Sequence, residues 1–257
     1  MTLPTTLSKS DGKLLLREAS QLLDNPARRS FLRSAVGVGT LVMLTGCNVT
    51  DSDSAERTLR HVSTFNDRIQ ALLFNPHKLA REYPASMITR PFPFNAYYAE
   101  AEAPTVDGND FALAVDGLVQ DKRSWTLDRL NALSQVTQIT QHVCIEGWSA
   151  IGQWSGVRFS HFLRLIGADL GAKYVGFRCA DDYSTSIDMP TALHPQTQLT
   201  LRFGNETLPK KYGFPMKLRI PTKLGYKNPK HIVEIFVSNH NPGGFWENYG
   251  YNWFSGL

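Results

Sequence analysis

Cysteine is scarce in this chain: three in 257 residues, at positions 47, 144 and 179, with no CxxC pair. A zinc or iron–sulfur site takes about four protein ligands, so the chain cannot build one from thiolates alone. HExxH and GxGxxG are also missing, and with them the zinc-protease and dinucleotide fingerprints. No CxxCH occurs, so a redox function would need a separate electron partner. Long apolar runs are absent too. The best, Ala35 to Leu44, is well short of the roughly 20 residues that a membrane-spanning helix needs. There are no internal repeats.

That short run has a specific setting. Arg28 and Arg29 form a twin-arginine pair, Phe31, Leu32 and Arg33 follow, and the run itself carries no charge. This is the layout of an export signal. It ends in "LTGC" (Leu44–Cys47), which resembles a bacterial lipobox and marks Cys47 for acylation. A periplasmic, lipid-anchored protein exported by the twin-arginine route is therefore expected. Setting aside the six basic and three acidic residues before position 48 leaves 21 basic against 20 acidic. So near-neutral a balance gives no reason to expect a nucleic-acid partner.

The organisation expected is a signal over 1–47, a tether and helix over 48–90 and a domain over 91–257. Leu59, Val62, Phe65, Ile69, Leu72 and Leu73 recur at helical spacing and predict a helix packed on the domain. Beyond Arg90 the texture becomes short apolar runs between turns. "FALAVDGLV" reads as a strand pair turning at Asp116-Gly117, and "VTQITQHVCI" as a strand ending near Cys144. "SGVRFSHFLRLIGAD" reads as a strand and then a helix capped by Ser160, and "LTLRFGNETL" as a hairpin. Regular helices do not separate the strands, so the class is α+β with mixed, mostly antiparallel sheets and short helices.

Two segments carry chemistry. Between Thr207 and His231 there are seven Lys or Arg and no acidic residue, interleaved with glycine and proline. A segment of one sign with turn residues suits a polyanion site, although a basic surface loop gives the same pattern. In "QHVCIEGWSAIGQWSG" (Gln141–Gly156) a lone cysteine stands beside a histidine, a glutamate and a tryptophan. One thiolate can supply a single bond to a metal whose other ligands come from an organic cofactor. His142 should share the strand face of Cys144, as a packed residue or a cofactor contact. Glu146 and Trp148 are expected at the cavity mouth, against the alternatives of a surface carboxylate and a core aromatic. A Cys144–Cys179 disulfide in a non-catalytic lipoprotein is the competing reading of the cysteines.

Together, "CIEGWS" with its downstream "W.G" and "GFPMKLRIPTKLGYKNPKHI" resemble the sulfite oxidase-like molybdopterin oxidoreductases. Their likeness is to the periplasmic methionine-sulfoxide reductase (MsrP/YedY-type) branch. The resemblance implies that family's fold, a molybdenum–molybdopterin cofactor with one metal per chain, and Cys144 as the single protein ligand. It implies further cofactor contacts at Asn95, Tyr98 and Ala99 of "NAYYA", and at Cys179, where the branch has a threonine. Lys217 stands in place of an arginine, Asn228, Pro229 and Lys230 match the final phosphate-binding stretch, and Tyr212 replaces an asparagine. The implied activity is oxygen-atom transfer on a small S- or N-oxide substrate by a monomer. A membrane cytochrome b or a soluble cytochrome c would exchange the electrons, and a sulfite dehydrogenase-type oxidase is the alternative.

Overall fold

The computed structural model describes residues 52–257, so Arg28, Arg29, the apolar run and Cys47 lie outside the described residues. The chain divides into the units Met1–Thr58 and Leu59–Leu257, and the second carries both sheets and the site. In chain order, helix α1 (Ser52–Leu73) precedes the first strand and the short helix α2 (Leu127–Asn131) follows the second.

The first sheet has the order β2-β1-β10-β5-β6, from β1 (Ala112–Gly117), β2 (Trp125–Thr126), β5 (Tyr174–Cys179), β6 (Ser184–Asp188) and β10 (Ile232–Ser238). Only β1 and β10 pair in parallel; the other pairings are antiparallel. The second sheet is wholly antiparallel. It runs β3 (Gln135–Val143), β4 (Ser149–Arg158), β7 (Gln198–Phe203) and β8 (Glu206–Thr207), with β9 (Lys217–Arg219) also on β7. This is the mixed, mostly antiparallel α+β arrangement that the sequence implied.

Alternation explains which residues enter the core. Leu113 and Val115 of β1 are buried while their neighbours face water, and Ile235 and Val237 of β10 repeat the pattern. They meet Val175 and Phe177 of β5, and Val157, Leu199 and Leu218 from the second sheet, in one hydrophobic cluster. Phe159, Phe162 and Leu163 of α3 (Phe159–Leu165) join it. Gly156 is where β4 shifts register against β7, and a Cβ there would lie 1.9 Å from the Leu199 carbonyl oxygen. Only glycine admits so close a backbone.

Three local expectations are corrected. Residues 111–119 hold one strand, Ala112–Gly117, and no pair, because Gly117 turns the chain at φ 80° and the next strand begins only at Trp125. Ser160 does not cap α3. The helix starts at Phe159, whose N–H donates to the Thr197 carbonyl at 2.9 Å, with Arg158 at the cap position. The third concerns α1: its six apolar residues do not pack on the domain but are all exposed. The residues turned inward are polar: the Asp67 carboxylate accepts the Phe254 N–H at 2.7 Å, and Gln70 accepts the Gly256 N–H at 3.1 Å. Among the described residues no helix is long and apolar enough to cross a membrane.

Candidate active site

Strand β3 ends at Val143 and the next residue, Cys144, opens a tight turn. The Gly147 N–H donates to the Cys144 carbonyl at 3.2 Å, and the Cys144 N–H to the Trp148 carbonyl at 2.9 Å. Gly147 has φ 91°, a conformation that side chains oppose, so the glycine of "CIEGW" is a requirement of the turn. The turn holds the thiol against a carboxylate. Cys144 Sγ donates to Glu146 Oε2 at 3.6 Å, and the Trp148 indole N–H donates to the same oxygen at 2.8 Å. Burial, first, and the Glu146 charge raise the thiol pKa above its ordinary value, against backbone hydrogen bonds at Glu146 and Ile145. Cys144 and Cys179 are both free thiols, so the disulfide reading fails.

His142 is two residues back on the same strand face, as the period of two requires. It is 2% exposed, and neither ring nitrogen has a hydrogen-bond partner. Burial, then the charges of Arg219, Lys217 and Lys230, push its pKa far down, so the ring is a neutral imidazole. A neutral imidazole has one donor and one acceptor, and here both are unused. Gly225 makes room for it: a Cβ at 225 would lie 2.7 Å from His142 Nε2.

These residues wall a cavity of about 380 Å³. Asn95, Tyr98, His142, Cys144, Glu146, Lys217, Asn228, Pro229 and Lys230, all anticipated from the sequence, line it. Ala99, Trp148 and Cys179 do not. Trp148 stands behind Glu146 as its hydrogen-bond donor, and Cys179 is buried in the main core. Tyr212 is also away from the wall, in a small aromatic cluster with Phe92 and Trp154, where its hydroxyl donates to the Phe92 carbonyl at 2.6 Å.

The seven cations of the 207–231 segment do not act together. Lys210 and Lys211 pair at the surface with Thr105 and Glu100. Arg219 is spent within the fold, donating to Asn228 Oδ1, Thr140 Oγ1 and the Gln141 carbonyl at 3.1, 3.1 and 2.6 Å. Lys223 donates to the Phe254 carbonyl at 2.8 Å, and Lys227 is paired with Glu247. Two reach the cavity. Lys230 Nζ donates to the Asn95 carbonyl at 2.7 Å, drawing "NAYY" onto the wall, and burial lowers its pKa to about 8. Lys217 is 4% exposed and has no acceptor or carboxylate among the described residues, only the Trp154 ring at 4.7 Å. Burial and the neighbouring cations push its pKa far down. Asn228 lines the cavity with its side chain already committed: Oδ1 accepts from Ile220 N–H at 2.7 Å and Nδ2 donates to the Leu224 carbonyl at 3.0 Å. Arg178, on the alternate face of β5, pairs with Glu234 at the surface.

The sequence reading missed several wall residues. Tyr97 donates to the Asp181 carbonyl, as the anticipated Tyr98 does to its carboxylate, and Asp181 lines the cavity with Tyr183. Trp246 and Tyr251 come from the C-terminal segment. Asp181 follows Cys179 closely and was within reach of that motif, whereas Trp246 and Tyr251 lie in no periodic pattern.

A cavity open at its mouth, with a lone thiol, an unpartnered imidazole, an unpaired lysine and Gly225 in its wall, fits a polar, anionic metal cofactor. In this fold it defines a sulfite oxidase-like molybdopterin oxidoreductase. Residues 100–246 match the oxidoreductase molybdopterin-binding domain model, and the chain belongs to that family. It is 62% identical over 251 residues, covering 96% of both chains, to an Azospira oryzae protein provisionally named protein-methionine-sulfoxide reductase subunit YedZ1. It is 27% identical over 166 residues to the methionine-sulfoxide reductase catalytic subunit MsrP of Burkholderia mallei, covering 58% of this chain and 50% of that one. The chain thus spans about half the length of the MsrP relatives it matches. Among solved structures the sulfane dehydrogenase SoxCD of Paracoccus pantotrophus shares the fold, at TM-score 0.51 and 19% identity over 54% of this chain and 40% of that one.

Proposed function

We propose that this oxidoreductase reduces a small S- or N-oxide at a molybdenum–pterin centre, one per chain, held in the 91–257 domain. The observation that carries the reading is the unpartnered His142 imidazole and Lys217, which contacts only the Trp154 ring, beside the Cys144 thiol in one cavity. Bound there, the cofactor supplies two-electron oxygen-atom transfer. The chain's residues do the rest. Cys144 would be the protein's ligand to the metal and would serve as the thiolate, its thiol proton displaced. His142 offers one donor and one acceptor to the pterin, while Lys230, and Lys217 once a bound anion restores its proton, would offset the anionic charge. Asn228 and Pro229 shape the wall without offering it a donor, since the Asn228 N–H is given to the Gly225 carbonyl at 2.9 Å and proline has none. The Trp148 indole holds the Glu146 carboxylate beside the substrate position.

The overall balance is sulfoxide plus two electrons and two protons giving sulfide and water. A separate cytochrome, b-type in the membrane or c-type in solution, supplies the electrons to a monomeric enzyme. The twin-arginine signal supports a periplasmic location, since a buried cofactor must be inserted before a folded protein is exported, with Cys47 acylated at the membrane surface.

Metal and pterin analysis of the exported protein, with sulfoxide-dependent oxidation of a reduced viologen dye, tests the reading. Cys144→Ser should retain the fold and lose turnover. Sulfite-dependent cytochrome c reduction without sulfoxide turnover would instead assign the oxidase reaction. Molybdenum bound and active in the serine variant would remove Cys144 from its role.

A further inference from the structure

We propose that the outward face of α1 docks on an anionic lipid bilayer, lying flat in the headgroup layer. The inference rests on the membrane-surface location put forward above. An amphipathic helix ordinarily turns its apolar stripe to the core. Here Asp67 and Gln70, hydrogen-bonded to the Phe254 and Gly256 amides, are on the inward side, and Phe74 packs edge-on against Phe254 at 5.6 Å. Leu59, Phe65, Leu72 and Leu73 are left 68, 62, 80 and 77% exposed. With Val62 and Ile69 they fall in one stripe roughly 140° wide at 100° per residue.

Two features select lipid as the occupant. The first is charge. Among the described residues of α1 from Leu59 onward, Arg68 is exposed beside the stripe while Asp67 is turned to the Phe254 amide; beyond the helix Lys78 and Arg81 are exposed, next to Glu82. Cations flanking an apolar stripe of Leu and Phe are the composition of an interfacial helix. The second is chain length. Helix α1 begins at Ser52, eight residues after the apolar run ends at Leu44, a span of at most about 29 Å when fully extended. Whatever holds that run or Cys47 at a bilayer keeps the stripe close to the same surface.

The test uses Leu72→Trp in the exported holoprotein and adds vesicles of phosphatidylethanolamine with phosphatidylglycerol, with or without brominated acyl chains. Emission of the introduced indole, taken as the difference from the native chain, should shift to the blue. It should be quenched by the brominated lipid, and less so with phosphatidylcholine alone. In the otherwise native chain, Phe65→Ser with Leu72→Ser should lower the vesicle-bound fraction about tenfold or more while leaving dye-linked turnover unchanged. Cys47→Ala separates the two readings. Quenching that persists without an acyl group supports the helix face even if the anchor is absent. An unquenched introduced indole in an acylated, vesicle-bound protein overturns the inference and leaves the anchor standing. So does a stripe covered only by self-association in light scattering, or only when a membrane protein partner is present.

Discussion

Gly225→Ala is a small change with a large expected effect at the site. The added Cβ would lie 2.7 Å from His142 Nε2, 3.0 Å from Cε1 and 3.4 Å from the Val143 carbonyl oxygen. Ordinary contact is about 3.5–4.0 Å, so the imidazole must move by most of an ångström or the 225 backbone must yield. His142 is 2% exposed and is flanked by the rings of Phe92 at 6.2 Å and Trp148 at 5.8 Å, which leave it little freedom. Overpacking of this kind costs about 1–3 kcal/mol. Because the ring nitrogens have no protein partner, the cost should come from the clash and not from a lost hydrogen bond. Removing the ring should therefore remove it. In a cycle of Gly225→Ala, His142→Ala and the pair, followed by urea denaturation, the double variant should be more stable than the sum of the singles by about 1–2 kcal/mol. Pterin content, read from released-pterin fluorescence, should fall in Gly225→Ala. Additive singles, or a variant with wild-type stability and full pterin, would refute the steric reasoning.

Other perturbations test the buried charges. Lys227 and Glu247 are paired with side chains 1 and 5% exposed, so Lys227→Met, which strands the carboxylate, should destabilise by about 3–5 kcal/mol, and adding Glu247→Gln should recover part of that in chemical denaturation. A loss under about 1 kcal/mol in the single variant would deny the pair its buried character. Burial lowers the Lys223 pKa from 10.5 to about 7, with Asp188 opposing. Between those values the unfolded chain holds a proton that the folded chain has released, so stability from this residue rises with pH by up to about 1.4 kcal/mol per pH unit. Below about 7 the penalty is fully present. In Lys223→Met the rise in urea midpoint across that window should shrink, and an unchanged slope would clear Lys223 of the effect. Asn228→Ala removes the acceptor shared by the Ile220 amide and Arg219 and should cost about 2–4 kcal/mol by thermal melting, since it leaves two buried donors unpaired.

Alternation, turn residues and spacing were enough to read most strands, the α+β class and the pairing of Cys144 with His142 on one face, because these depend on neighbours within a few residues. The family motif likewise brought nine of the anticipated residues to one wall. The chain by itself also limited the site to one thiol in place of a cluster. What only the tertiary structure decided is where long side chains end. Seven cations look alike along the segment from Thr207 to His231, yet Arg219, Lys223 and Lys227 donate to acceptors inside the fold and Lys217 does not. The same holds for α1, whose stripe reads as core until the amides of Phe254 and Gly256 take up its polar side. Hydrogen-bond partners far away along the chain set these outcomes, and no local pattern encodes them.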